Sequence, residues 1–315
     1  MKFSIIIPAY KPNYLKECID SILEQTYTDF ELIIVNDASP NNLDSIVNNY
    51  QDSRIRYITN ENNYGAKEMV NNWNHCLKFV QGEFVINMGD DDKLMPKCLE
   101  DYSQLIKKYP NIDVFHTRMA FINETSEIIN LTPERAEHES ALSAIWHFFH
   151  GRVNRIGDWL FKTESLRENG GYYYLPCAWG ADDISAFMMA EKNGIVNSTY
   201  IGFLYRTNDL TVSKSSANSF EKIQAHCMAK DWYFNFFQKK TKNEKDELYK
   251  HLLLKELDSV ILRFKCREIT NTLKNKPSLC YEWLRKCNKY GISKRTLLGI
   301  IKNICYSRFR SLLPF

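Results

Sequence analysis

The sequence predicts an α/β fold, in which a mainly parallel, Rossmann-like central sheet is flanked by helices and followed by a C-terminal helical region. Three observations support this prediction. Over the first hundred residues, short runs with period-2 hydrophobicity alternate with segments of helical period 3.6. From about residue 112 to 212 the two patterns mix, and after about residue 216 only helical patterns remain. Strand, helix and strand in succession are typical of parallel sheets with right-handed crossovers.

The first half contains four strand-like runs bounded by turn-forming residues, namely FSIIIPAY, ELIIVNDAS, RIRYITN and EFVINMGDDD. Helical spacing separates them in NYLKECIDSILEQT, NNLDSIVNNY and AKEMVNNWNHCLKFVQG, and we expect Gly82 to be the C-cap of the third helix. Ligands of such sheets bind beyond the carboxyl ends of the strands. Asp37 and the run Asp90, Asp91 and Asp92 both lie at those ends.

In the second half, DVFHTRMAFI, GDWLFKT and TYIGFLYRT have a strand-like pattern. Gly170-Gly171 indicates a turn, and the segment around DDISAFMMAEKNG has a helical pattern. Further on, ELYKHLLLKELDSVILRFK has apolar residues at helical spacing. We therefore expect one domain over residues 1–215, with halves 1–111 and 112–215, and a basic helical region over 216–315.

Composition and charge limit the class of protein. No apolar run approaches the ~18 residues of a membrane span, and the N-terminal run stops at Pro8, before it reaches signal-peptide length. We therefore expect a cytoplasmic protein. The nine cysteines include no CxxC pair, so we expect reduced and mostly buried thiols. The net charge of +3 hides an asymmetry, because residues 262–315 carry 13 Lys and Arg against 2 Glu, which is +11 there and −8 elsewhere.

The three consecutive aspartates repel each other unless a cation or solvent relieves them. A calcium loop of the EF-hand type needs alternating ligands and a glycine at its sixth position, and DDDKLMPKCLED has neither. The run fits Mg²⁺ or Mn²⁺ held by one or two carboxylates, with phosphate oxygens of a ligand completing the shell. A hydrated loop is the alternative for this run taken alone.

Asp37 follows a strongly apolar strand and precedes Ala38, Ser39 and Pro40, where we expect a helix to begin. A carboxylate at that place can accept the imide N–H of a uracil or thymine ring. The alternative is that Asp37 or Ser39 caps the helix.

Four stretches, SIIIPAYK, FELIIVNDAS, NYGAKE and QGEFVINMGDDDKLMP, resemble in order and spacing the N-terminal half of the family 2 glycosyltransferases, whose fold is called GT-A. GDWLFKTESLRENGGYYY resembles that family's acceptor-side segment, and WGADDISAFMMAEKNG is similar to its ED-type motif. The resemblance covers about residues 3 to 213. It implies that residues 1–111 bind the nucleotide and 112–215 the acceptor, and that a sugar passes with inversion from a UDP-sugar or dTDP-sugar to a hydroxyl.

The resemblance also implies roles for single residues. Tyr10 lies against the uracil ring and Asp37 hydrogen-bonds it. Asp90 contacts the ribose or the diphosphate. The full set of implied donor-binding residues is Pro8, Ala9, Tyr10, Asp37, Lys67, Asn74 and Asp90.

On the metal and acceptor sides, the resemblance implies that Asp91, assisted by Asp92, holds the Mn²⁺ or Mg²⁺ that bridges the phosphates. Asp183 stands where the family has its general base, which takes the proton of the acceptor hydroxyl. The implied acceptor-binding residues are Gly171, Trp179 and Asp182. Gly171 would donate a backbone N–H to the sugar, and Trp179 would stack on it, the alternative being that Trp179 packs in the core. Asp182 either contacts the sugar or shapes the start of the helix.

Four positions depart from the family's pattern. Gly89 stands where the family often has an aspartate, and Trp73 stands where it often has an arginine, so we expect Lys67 to replace that pyrophosphate contact. Asn208 occupies the place of a common histidine, which leaves a third metal ligand unassigned. Asp182 replaces the usual glutamate before the base.

The C-terminal stretch SKRTLLGIIKNICYSRFRSLLPF has apolar residues near one helical face, surrounded by Lys and Arg and without any acid. This composition fits a helix in the headgroup region of an anionic membrane, peripheral on the inner face of the cell membrane. The alternative is a helix that docks its apolar stripe on the catalytic domain. We do not expect nucleic-acid binding, because the tail has no recognised reading motif and the rest is acidic.

These features predict a transferase acting on a saccharide acceptor, lipid-linked if the tail binds membrane, in bacterial surface polysaccharide biosynthesis. A nucleotidyltransferase would normally have a Gly-rich loop with a basic residue after the first strand, and IPAYKPNY has none. The remaining alternative is a non-catalytic nucleotide-binding or membrane-surface scaffold of the same fold.

Overall fold

The computed structural model describes residues 1–207, 217–241 and 243–310, the side chains of 307–310 excepted. Contacts divide the chain into two compact units. The first comprises Met1–Tyr174 and Ala181–Asp209, and the second comprises Leu175–Gly180 and Leu210–Phe315. The expected domain boundary at residue 215, like Asn208, lies outside the described residues, and the boundary stays a prediction.

The first unit is built on one mixed sheet, which has ten strands within the described residues. They are β1 (Phe3–Ala9), β2 (Phe30–Asn36), β3 (Ile55–Thr59), β4 (Phe84–Asn87), β5 (Lys93–Leu94), β6 (Val114–Ile122), β7 (Ile128–Leu131), β8 (His138–Glu139), β9 (Trp159–Lys162) and β10 (Ile195–Arg206).

The strand order is β3-β2-β1-β4-β9-β6-β10-β5, with β7 paired to β6 and β8 to β10. Strands β1 to β4 are parallel to one another, as their crossover connections require. From β9 onward the sheet is mixed, since β9 runs antiparallel to both β4 and β6, whereas β6 and β10 are parallel. The expected α/β class is confirmed, with the parallel part concentrated in the N-terminal half.

Seven helices of the first unit surround this sheet in the described residues. They are α1 (Leu15–Leu23), α2 (Asp44–Val47), α3 (Met69–Leu77), α4 (Cys98–Lys108), α5 (Ala141–Phe149), α6 (Thr163–Glu168) and α7 (Ala181–Met189). Helix α2 is much shorter than the expected NNLDSIVNNY segment. Most of β1 and all of β2 are buried, which explains why both read as continuous apolar runs rather than alternating ones. Burial of each such Ile side chain stabilises the folded state by about 1.5–3 kcal/mol.

Gly82 is not the C-cap of α3, so that expectation is wrong. Helix α3 ends at Leu77, and the backbone N–H of Gly82 instead donates to Ser4 Oγ at 2.8 Å. A Cβ at residue 82 would lie 2.6 Å from that oxygen, so only glycine fits this close approach to β1. Ser4 Oγ in turn donates to the buried Glu31 at 2.5 Å, and Gln81 N donates to the same carboxylate at 2.7 Å.

The second unit is helical throughout its described residues. Its helices are α8 (Ser219–Phe237), α9 (Glu244–Asn275), α10 (Cys280–Lys286) and α11 (Lys294–Arg310). The predicted apolar stripe of α9 is buried at Leu253, Leu257, Val260 and Ile261.

The apolar stripe of α11 packs within this same unit. Leu297 and Ile304 are buried in a cluster with Ile269 and Trp283, so this stripe belongs to the core of the helical unit. The outer face of α11 exposes Leu298 and several basic side chains. In the part of the chain that the structure describes, no helix combines the length and the hydropathy that crossing a bilayer requires.

Candidate active site

The ends of β1 and β2 place Tyr10 and Asp37 side by side. Ala9 pairs with Asn36 in parallel register, and Asp37 N donates to Ala9 O at 2.9 Å. Ser39 Oγ donates to Tyr10 O at 2.6 Å and ties the two strand ends together. Tyr10 is 42% exposed, so an aromatic ring stands at the edge of the sheet, next to a carboxylate. Pro8 and Ala9 form the end of β1 beneath it.

The Asp37 carboxylate is buried and held in one orientation. Its Oδ1 accepts hydrogen bonds from Asn60 Nδ2 at 2.9 Å and from Tyr64 N at 3.1 Å. Asp37 does not cap a helix, because α2 begins only at Asp44, without a side-chain cap bond. The capping alternative is therefore excluded for Asp37, and its carboxylate lies at the strand end in a fixed position.

Asp90 joins the acidic run to the loop that follows β1. Its Oδ2 accepts hydrogen bonds from the backbone N–H groups of Tyr10 and Lys11, each at 2.7 Å. Burial raises the pKa of Asp90 to about 6, although these two donors act in the opposite direction. The side chain of Asp90 thus fixes the Tyr10 loop against the end of β4.

Asp92 is buried and meets Arg206 at the end of β10. Its Oδ1 accepts a hydrogen bond from Arg206 N at 2.9 Å, and burial followed by the charge of Asp91 raises the pKa of Asp92 well above its usual range. The guanidinium Nε of Arg206 donates to Asp91 O at 2.8 Å. Arg206 therefore holds both the backbone and one carboxylate of the acidic run.

Arg206 also connects this run to two further segments, and its side chain is fully buried. Nη2 donates to Glu17 Oε2 of α1 at 2.9 Å, and Nη1 donates to Asn123 O at 3.0 Å in the turn between β6 and β7. The guanidinium lies 4.1 Å from the ring centre of Tyr14. No motif in the sequence singled out Arg206, although an arginine inside the apolar run TYIGFLYRT indicates buried partners.

The surroundings of Asp91 fit the divalent ion that the fold family implies. A Cβ at Gly89 would lie 3.1 Å from Asp91 Oδ1 and 2.9 Å from Asp92 Oδ2, so the two carboxylates converge on a space kept open by glycine. Two carboxylates are the oxygen donors that Mg²⁺ and Mn²⁺ prefer when ligand phosphates supply the rest. Among the described residues, no group of three or more His, Cys, Asp or Glu side chains is placed so that it could hold a metal ion.

A second acidic group lies at the start of α7. Asp183 is buried, and burial together with the neighbouring Asp182 raises its pKa well above the usual range. Asn154 Nδ2 donates to Asp183 Oδ1 at 2.5 Å and opposes this rise. Burial also raises the pKa of the partly exposed Asp182, to about 6.

Arg155 lies within electrostatic reach of both acidic groups. Burial raises the pKa values of Asp92 and Asp183, and the charge of Arg155 lowers each of them. Its guanidinium lies 4.5 Å from the ring centre of Tyr205, and Nη1 donates to Asn154 O at 2.7 Å. Asp92 and Asp183 thus share one cationic neighbour in the first unit. The sequence offered no motif that singled out Arg155.

Asn74 connects the donor side to the predicted acceptor side. Its Oδ1 accepts a hydrogen bond from Tyr172 N at 2.8 Å, and its Nδ2 donates to Tyr172 O at 3.0 Å. Gly171 has a φ of +87° and abuts the same amide, so a side chain there would be both strained and obstructed. Asn74 therefore positions the Gly171 segment, and its predicted donor contact stays a prediction.

Lys67 and Trp179 are the last two of the predicted site residues. Lys67 is exposed in a 3₁₀ turn, Ala66–Glu68, directly before α3. Trp179 belongs to the second unit, where the ammonium of Lys222 lies 4.2 Å from the centre of its ring system. Lys222 is itself almost fully buried, so it fixes the indole and covers one of its faces.

Comparison with known proteins identifies the family of this chain. The family model described as Glycosyl transferase family 2 matches residues 4–168. The putative glycosyltransferase EpsE of Bacillus subtilis is 32% identical over 216 residues, which is 66% of this chain and 73% of EpsE.

A third comparison is WfgD of Escherichia coli, a UDP-Glc:α-D-GlcNAc-diphosphoundecaprenol β-1,3-glucosyltransferase. It is 34% identical over 125 residues, which is 39% of this chain and 47% of that protein. Matches to five other curated relatives, all named uncharacterized glycosyltransferases, span between 18% and 57% of their length.

Two solved structures share the fold. Staphylococcus aureus TarS 1–349 in complex with UDP-GlcNAc superposes with a TM-score of 0.67 at 19% identity, covering 94% of this chain and 83% of that one. The mannosyltransferase PcManGT of Pyrobaculum calidifontis, in complex with GDP-Man and Mn²⁺, has a TM-score of 0.55 at 14% identity, covering 97% and 87%. At these identities the likeness concerns the fold, including the C-terminal helical region.

Replacing Arg206 by methionine keeps most of its volume but removes the guanidinium that donates to Asp91 O, Asn123 O and Glu17, and Glu17 then keeps Ser126 and Lys93 as partners. We expect Arg206→Met to lower the free energy of unfolding by about 2–4 kcal/mol. Urea denaturation measures this loss. The matched control is Arg54→Met, whose side chain pairs with the nearby Asp52 and should cost about 1 kcal/mol or less. Equal losses in the two variants would contradict the role given to Arg206.

Proposed function

This chain belongs to the family 2 glycosyltransferases, and on that premise we propose that it transfers a sugar from a nucleoside diphosphate donor to a hydroxyl of a saccharide acceptor, with inversion at the anomeric carbon. One observation carries the proposal. The acidic run that follows β4 is joined to the Tyr10 loop through Asp90, α7 presents Asp183, and Arg155 lies within electrostatic reach of both Asp92 and Asp183. A cation-binding carboxylate and a separate base are what such a displacement requires.

The donor we propose is a UDP-sugar, with a dTDP-sugar as the closest alternative. The fixed Asp37 carboxylate accepts the imide N–H that uracil and thymine share, and the exposed Tyr10 ring lies against the base. Pro8 and Ala9 shape the floor of this subsite. The name of WfgD, which contains UDP-Glc, and the TarS complex with UDP-GlcNAc support a uridine donor.

Asp91 and Asp92 are the residues that would hold a divalent ion, Mn²⁺ or Mg²⁺. Such an ion, when bound, neutralises the charge that develops on the leaving diphosphate. Asp90 acts on the donor side by fixing the Tyr10 loop through two backbone N–H groups. Lys67, at the start of α3, supplies a positive charge to the pyrophosphate. The Mn²⁺ complex of PcManGT supports a metal in this fold.

Asp183 is the proposed general base. It takes the proton of the acceptor hydroxyl while the oxygen attacks the anomeric carbon from the face opposite the diphosphate, so no covalent sugar–enzyme intermediate forms. A raised pKa strengthens a carboxylate as a base, but it also means that the active, ionised form is lost as the pH falls. We propose that Gly171 and Asp182 contact the acceptor.

A lipid-linked saccharide in bacterial surface polysaccharide biosynthesis is the acceptor we propose. The undecaprenol-linked substrate in the name of WfgD supports this class. The enzyme would then work at the inner face of the cell membrane. The outer face of α11, with Lys294, Arg295 and Lys302 around the exposed Leu298, suits anionic headgroups without unpacking the helical core.

Thermal unfolding in the presence of UDP tests the site. We expect UDP to raise the melting temperature only when Mn²⁺ or Mg²⁺ is added, and Asp91→Asn to abolish the metal-dependent part. Asp183→Asn should keep this stabilisation and lose at least ~100-fold in transfer, the range for loss of a general base. Asp258→Asn, an exposed carboxylate on α9, is the control that should leave both unchanged.

The product of the wild-type reaction gives a further criterion. Its anomeric configuration, read by NMR, should be opposite to that of the donor. Metal-independent UDP stabilisation, or undiminished transfer by Asp183→Asn, would contradict the site. Donor binding without transfer by the wild type to any saccharide would favour the scaffold alternative.

Charge removal tests the membrane proposal better than truncation, because Leu297 and Ile304 belong to the core of the second unit. We expect the triple variant Lys294→Gln, Arg295→Gln and Lys302→Gln to lose about 100-fold in binding to phosphatidylglycerol vesicles, at roughly 1 kcal/mol per charge. Co-sedimentation measures this binding.

The matched control removes three exposed lysines elsewhere on the surface, Lys78, Lys107 and Lys245. It has the same net charge as the α11 variant, so it separates a local effect from a global one. Equal vesicle binding by the two triple variants would contradict a membrane-binding face on α11.

A further inference from the structure

We infer that Asn154, oriented by Arg135, is a positioning residue for the Asp183 carboxylate and directs the second oxygen of that carboxylate toward the acceptor. The inference rests on the proposed function, because it takes Asp183 to be the base. Neither Asn154 nor Arg135 belongs to a motif that the sequence singled out. Both lie in connecting segments of the first unit, Asn154 between α5 and β9 and Arg135 between β7 and β8.

The Asn154 amide bridges the base to a guanidinium. Its Nδ2 donates to Asp183 Oδ1 at 2.5 Å, and its Oδ1 accepts a hydrogen bond from Arg135 Nη2 at 2.7 Å. Asn154 is only 5% exposed, so water has little access to either end of the amide. The side chain therefore makes its hydrogen bonds to protein partners on both sides.

Donor and acceptor chemistry fixes which way this amide faces. A guanidinium only donates hydrogen bonds, so the oxygen of Asn154 must face Arg135. The NH₂ group then faces Asp183, and an ionised carboxylate only accepts. The arrangement of Arg135, Asn154 and Asp183 is thus satisfied in one orientation of the amide, with Asp183 Oδ1 as the acceptor.

Arg135 is itself held in place. The same Nη2 donates to Val153 O at 3.1 Å, and the guanidinium lies 5.9 Å from the ring centre of the buried Trp159. Burial lowers the pKa of Arg135 to about 10, which leaves it charged at neutral pH. The donor-only partner of Asn154 is therefore permanent over the working range of the enzyme.

The charges around Asp183 explain why one hydrogen bond matters. Asp182 on the same helix and Asp158 from the 3₁₀ turn Ile156–Asp158 both raise the pKa of Asp183, in addition to burial. Arg155 lowers it, and Arg135 interacts with it favourably. The Asn154 hydrogen bond acts against the rise and favours the ionised form. Removing it raises the pKa further, so the carboxylate protonates at higher pH.

The pH dependence of kcat/KM separates this role from a purely structural one. The acidic limb of the pH profile of kcat/KM reports the ionisation of the free enzyme's base. A packing defect lowers the rate at every pH, whereas loss of the Asn154 hydrogen bond moves the limb itself. Because both residues lie in the acceptor half, the connecting segments of that half tune the base on α7.

The first experiment compares Asn154→Ala with the wild type between pH 5 and pH 9, in kcat/KM with the sugar donor and acceptor. We expect the midpoint of the acidic limb to rise by about 1 pH unit. At pH values below that midpoint, kcat/KM should fall about tenfold. Metal-dependent stabilisation by UDP should be unchanged. The matched control is Asn49→Ala. The exposed Asn49 amide donates a hydrogen bond to Ser45 O of α2, far in sequence from Asp183, so its removal should leave the profile unchanged.

Two Arg135 variants test the orientation of the amide. Arg135→Lys keeps a donor-only partner for Asn154, and we expect it to retain the wild-type limb. Arg135→Gln can donate or accept, so it allows Asn154 to turn its oxygen toward Asp183. We expect its limb to move in the same direction as in Asn154→Ala and further than in Arg135→Lys, because the variant both frees the amide and removes a positive charge near Asp183. Urea denaturation of each variant checks that it is folded.

A loss of transfer in Asn154→Ala with the acidic limb at the wild-type pH would overturn the inference, and so would an unchanged profile. If the wild type transfers no sugar, the proposed function fails separately. The inference is then decided by ¹³C NMR titration of aspartate-labelled protein, with the Asp183 signal assigned from Asp183→Asn. An Asp183 pKa about 1 unit higher in Asn154→Ala supports it, and an equal pKa overturns it.

Discussion

Burying carboxylates at the end of a strand is costly unless donors meet them, and the structure around the acidic run depends on how this cost is met. Asp90 receives two backbone N–H groups from the loop after β1, and Asp92 receives the backbone N–H of Arg206. The guanidinium of Arg206 then holds the backbone of Asp91. Because these donors come from β1 and β10, the acidic run has its observed shape only in the folded first unit.

The three aspartates of the acidic run differ in burial. Asp90 and Asp92 are buried and accept hydrogen bonds from backbone N–H groups, and Asp91 is partly exposed beside the space that Gly89 leaves open. A Cβ at residue 89 would lie 2.9 Å from Asp92 Oδ2 and 3.1 Å from Asp91 Oδ1, so a side chain there would require both carboxylates to shift.

The fold was largely predictable because β1 and β2 are buried on both faces, which leaves uninterrupted apolar runs in the sequence. Placing Asp37 and the acidic run at strand ends followed from the same pattern. The contacts of these residues did not follow, because they join distant segments: Arg206 meets Asp92 across 114 positions of sequence, and Asn154 meets Asp183 across 29. Gly82 was misjudged for this reason too, since its requirement comes from β1 and not from the helix before it. In α11, periodicity revealed the apolar stripe but not the partner that covers it.

We propose that the rim of the sheet binds a nucleoside diphosphate through Asp37 and a cation through Asp91. Anomalous diffraction from crystals grown with UDP and Mn²⁺ distinguishes this binding mode from any other. We expect a manganese peak about 2.1–2.3 Å from an Asp91 carboxylate oxygen, with the uracil imide within about 3 Å of Asp37. A manganese peak away from the acidic run, or a uracil ring that does not contact Asp37, would rule out the proposed binding mode.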